Sequence, residues 1–131
     1  MDVILTKKEV ENCYWNLDNA LKGDDPSIIT TVKNHGITGT IAFVYTVTSN
    51  TIGSIISAII MDYSEDVSHY KKGLHRDAYK VWLDSMNAAN FQAVKIRLFN
   101  YRDIADGVKF TEDIPNLIAY QDSNGNWISQ Y

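Results

Sequence analysis

The chain has 131 residues, of which 45% are apolar and 21% charged, and its net charge is −4. That length suits one domain with a core that needs no staples, and the composition excludes an intrinsically disordered chain. The acidic balance argues against nucleic acid and against anionic membranes, which are held through basic surfaces.

The N-terminus, Met1 to Lys8, reads Met-Asp-Val-Ile-Leu-Thr-Lys-Lys and lacks the charged and apolar regions of a signal peptide. Cys13 is the single cysteine, so no internal disulfide can form and no cysteine-based zinc site is available. Both features fit a soluble protein of a reducing, cytoplasmic compartment.

Thr6-Lys7-Lys8-Glu9 is a capping box, and Leu5 with Val10 supplies the matching hydrophobic staple. Val10, Cys13, Tyr14, Leu17, Ala20 and Leu21 then follow one helical face, and Gly23 is a stop. The pattern predicts a helix over Lys7–Lys22. Asp25-Pro26 restarts a short helix with Ile28, Ile29 and Val32 on its apolar side, ending at Gly36.

Ile41, Phe43, Tyr45 and Val47 alternate with smaller residues, which predicts a strand. From Ile52 the apolar positions Ile55, Ile56, Ile59, Ile60, Tyr63, Val67 and Tyr70 fall at helical spacing. A central, buried helix is the expectation there, with a break or kink at Gly73. A further helix should then turn Leu74, Ala78, Val81, Trp82 and Met86 inward. No Asp, Glu, Lys or Arg occurs from Asn34 to Met61, a stretch long enough to cross a bilayer. Its many Thr, Ser and Gly residues and its two periodicities favour a buried strand and a buried helix instead.

Val94, Ile96 and Leu98 alternate with Lys95, Arg97 and Phe99, the pattern of a half-buried antiparallel strand. Asp106-Gly107 marks a hairpin leading to Val108 and Phe110. Pro115 suits an edge or bulge, and Asp122-Ser123-Asn124-Gly125 is a turn between Leu117–Gln121 and Asn126–Tyr131. The expected architecture is α+β: one domain over residues 1–131, with N-terminal and central helices packed on one face of a curved antiparallel sheet ending in a C-terminal β-meander. The element order and the last forty or so residues, which include Gly125-Asn126-Trp127-Ile128, broadly resemble the cone-shaped nuclear transport factor 2 and cystatin-like folds. The resemblance implies a curved sheet around a helix and carries no functional residue with it.

The candidate chemistry is sparse. His35, His69 and His75 lack the spacing of a metal-binding helix. His35 reads as a helix-end residue, and His69 as the ion-pair partner of Glu65 four residues earlier. Cys13 reads as a buried thiol. Asp62, Glu65 and Asp66 read as a solvated helix face rather than a loop of converging ligands, and Lys71, Lys72, Arg76 and Lys80 as a solvated basic run. Asp122 to Asn126 resembles the first half of a calcium loop but lacks the downstream glutamate. No metal, cofactor or catalytic set is expected.

Trp15 lies roughly opposite the Val10–Leu17 stripe, at about 100° per residue. It therefore needs either a second layer or an external partner. Phe99 to Asp103 groups aromatics with a cation and a carboxylate, so Tyr101, Arg102 and Asp103 join Trp15 as candidate partner-binding residues. The leading expectation is a non-enzymatic interaction module, such as a small acidic immunity or antagonist protein that masks a basic partner protein. The alternative is a ligand-binding or enzymatic cone lined by Tyr45, Trp82, Phe110 and Tyr120, with His69 as the catalytic candidate. A homodimer through a sheet edge is a third expectation.

Overall fold

The computed structural model describes residues 2–22, 41–48, 55–61, 65–99, 102–105, 108–111 and 114–130. The short helix expected after Asp25, the turn at Asp106-Gly107 and Tyr101 lie outside them. The elements are β1 (Asp2–Thr6), α1 (Lys7–Lys22), β2 (Ile41–Thr48), β3 (Ile55–Met61), α2 (Glu65–Ala89), β4 (Ala93–Arg97), β5 (Arg102–Ala105), β6 (Val108–Thr111), β7 (Asn116–Gln121) and β8 (Trp127–Ser129). The class is α+β, with two helices and two sheets among the described residues.

The first sheet is fully antiparallel, in the order β1-β4-β7-β8. Its register explains its two faces. Val3 pairs with Ile96, Leu5 with Val94, and Val94 in turn with Tyr120. All five side chains are buried on the helix-covered face. Asp2, Lys95, Arg97, Gln121 and Trp127 occupy the alternate positions. The β4–β7 register slips after Lys95, which pairs with Ala119 while Ile96 pairs with Leu117. Ile118 is the extra residue of the bulge.

Both helices pack on that sheet. Val10, Cys13 and Leu17 of α1 join Tyr79, Trp82 and Met86 of α2 and the apolar strand residues in one core. Inside it the Tyr79 and Trp82 rings meet edge-on at 4.8 Å, and Phe91 stacks on Tyr120 at 4.8 Å. α1 starts as its sequence requires. The Thr6 amide donates to Glu9 Oε1 and the Glu9 amide donates to Thr6 Oγ1, each at 3.2 Å. The residues ahead of this box were not expected to form a strand. The alternation of Val3 and Leu5 is only two apolar residues long, and the pairing with β4 completes it.

Three expectations are corrected. The Ile-rich segment is not a central helix: Ile55–Met61 is strand β3, antiparallel to β2 and parallel to β6. The 55/56 and 59/60 isoleucine pairs mimic helical spacing. A short continuous apolar run is consistent with a strand or with a buried helix, and periodicity alone does not separate the two.

Gly73 does not break the chain: α2 runs through it without interruption. The core face of α2 is His75, Tyr79, Trp82 and Met86, all buried, whereas Leu74 and Val81 are 39% and 60% exposed. Trp82 and Met86 point inward as expected; Leu74 and Val81 do not. Spacings of four, three and four place the true face one residue, or about 100°, from Leu74.

The C-terminal strands do not form one meander. β5 and β6 form the expected hairpin but join β2 and β3 in a second sheet, ordered β2-β3-β6-β5. Only β7 and β8 stay with β4. β3 and β6 pair in parallel through Ile56–Ala58 and Lys109–Thr111. This second sheet meets the helices through β2 and β3.

Candidate interaction surface

α1 places Trp15 where its wheel position predicts, on the side away from the sheet. The residue is 53% exposed, high for an indole. Tyr14 packs edge-on against it, with ring centres 5.1 Å apart, and Tyr14 in turn rests on the core. Tyr14 thus contacts the indole, about half of which stays exposed.

Residues three and four positions away share a helix side with it. For Trp15 these are Glu11, Asn12, Asp18 and Asn19, which makes a polar rim with two carboxylates. Glu11 lies 3.9 Å from Lys8. Asp18 is only 7% exposed, and Lys22 at 2.8 Å and Arg76 at 3.4 Å satisfy its charge. The Lys22 hydrogen bond, with Arg76 adding to it, holds the Asp18 carboxyl below the usual carboxylate range. The same pairing raises the Lys22 ammonium above its usual value. Arg76 reaches across from α2 and also contacts Asp77 at 3.2 Å. The surface that carries Trp15 is therefore fixed to the second helix by charge as well as by packing.

A different apolar surface lies on α2, where Tyr70 is 66% exposed and shares one side with Leu74 and Val81. The open face of the first sheet is polar and internally paired. Arg97 donates to both carboxylate oxygens of Asp2, at 2.7 and 3.1 Å, and the Lys95 ammonium sits 4.6 Å from the centre of the Trp127 ring.

The other sequence candidates are dispersed. Arg102 and Asp103 begin β5, at the edge of the second sheet. Tyr45 lies in β2 opposite Ala58, Phe110 in β6 opposite Ser57, and His69 in the N-terminal part of α2. Trp82 and Tyr120 come together in the packed core of the first sheet. Cys13 is buried, and burial pushes its thiol up to about 12, with a Tyr79 hydrogen bond opposing the rise.

The Asp122 turn closes as a hairpin. The Asp122 carboxylate accepts from the amides of Asn124 at 2.9 Å and Asn126 at 2.8 Å, and Gly125 adopts φ 87°. Among the described residues no group of three or more His, Cys, Asp or Glu could hold a metal ion, and no helix is long and apolar enough to cross a membrane.

Sequence reasoning missed buried His75 and the Asp18–Arg76 bridge. The Tyr79-Trp82-Met86 phase carried four residues back would have found the first. The second joins positions 58 apart, and nothing local signals it. Comparison of the chain with protein-family models, with curated proteins and with solved structures finds no match to any of them.

Proposed function

We propose that the protein is a non-enzymatic interaction module that binds one protein partner through the Trp15 surface of α1. The observation that carries this reading is the exposed indole, contacted by Tyr14 and rimmed by polar residues. Interfaces with an aromatic centre and a polar rim concentrate binding energy in this way. The partner is basic. Glu11 flanks the indole, the chain carries a net charge of −4, and a partner's Arg or Lys would gain a carboxylate and a cation–π contact there, Asp18 being already paired with Lys22 and Arg76. A small acidic immunity or antagonist protein that masks a basic toxin or effector is the concrete form of this reading. The rival, a ligand-holding cone, has less support: its Ile-rich helix is strand β3, and Trp82 and Tyr120 fill the core.

The test uses immobilised wild type and Trp15→Ala in extracts of the source cell. Wild type should retain a basic protein, Trp15→Ala should bind it at least tenfold more weakly, a loss of about 1.4 kcal/mol or more, and rising salt should weaken the complex. Equal retention by both proteins, or no retained protein, overturns the reading.

A further inference from the structure

No further inference is drawn: the strongest candidate, the exposed apolar stripe of Tyr70, Leu74 and Val81 along α2, is an unpartnered helix face, and nothing in the structure shows what covers it.

Discussion

Cys13 and Trp15 sit two residues apart on α1 and meet opposite environments, and each makes a measurable statement. Burial raises the Cys13 thiol to about 12, so the native protein should not react with a thiol reagent at pH 8, whereas the unfolded chain should react at once. Rapid labelling of native protein would show that α1 does not pack as described. Trp15 should be the tryptophan most quenched by acrylamide. Trp15→Phe should remove most of the quenchable emission while changing stability by no more than about 0.5 kcal/mol, the usual scale for an exposed site. The burial of Cys13 was legible from the helical period, because the capping box fixed the phase of α1 at its first turn; the same period set Trp15 opposite the apolar stripe but left open whether a second layer covers it. His75 was not legible, because Gly73 and the neighbouring Leu74 suggested a new helix with a different phase.

The helices and turns can be tested at the scale of the element. Gly73 lies inside α2, and a methyl group there would meet open space. Gly73→Ala should therefore raise the unfolding free energy by about 0.5–1 kcal/mol, the propensity difference in a helix interior. α2 ends in a cap: Asn90 takes φ 56° and the Phe91 amide donates to the Met86 carbonyl at 2.9 Å. That is the Schellman pattern, in which a left-handed residue lets the chain turn back. Asn90→Val should cost about 1–2 kcal/mol because a β-branched residue resists that conformation, while Asn90→Gly should be neutral or stabilising. Urea unfolding of the two variants checks the order. At the other helix, Thr6→Ala should cost about 1 kcal/mol through the lost capping bond. The N-terminal box was written in the sequence as a four-residue pattern; the Asn90 cap was not read, since asparagine marks turns and loops as readily as helix ends.

For the whole molecule the charge pairs set the response to pH. Arg97 lowers the Asp2 carboxyl, chiefly by hydrogen bonding, and Lys22 with Arg76 lowers that of Asp18. Each carboxylate thus has a folded value below its unfolded one. At pH values between the two, the unfolded chain binds more protons, so stability rises with pH there. Their contribution is complete above the unfolded value of about 4 and is lost as pH falls through the folded values. Lys22 has the opposite sign: its folded value is raised, so its contribution is present below about pH 10 and is lost as pH climbs through the folded value. Thermal melts should show a plateau across neutral pH and a decline below about pH 4. Asp18→Asn should flatten part of that acid limb, and salt should reduce the effect because Lys22 and Arg76 reach solvent. An acid limb unchanged by Asp18→Asn would show that the bridge between α1 and α2 is energetically silent.

The sequence by itself determined the α+β class, the bounds and phase of α1, the alternation of β2 and β4 and the hairpin turn at Asp122. In each of these the deciding interaction lies within a few residues, as a capping box, a two- or 3.6-residue period, or an Asx turn. Tertiary structure alone decided that Ile55–Met61 is a strand, because its short apolar run fits a strand or a buried helix equally and only the pairing with β2 and β6 separates them. It also decided that β5 and β6 leave their neighbours in sequence for a second sheet, and that Asp18 meets Arg76 across the two helices. These are contacts between distant positions, and no local pattern of residues encodes which distant segment will arrive.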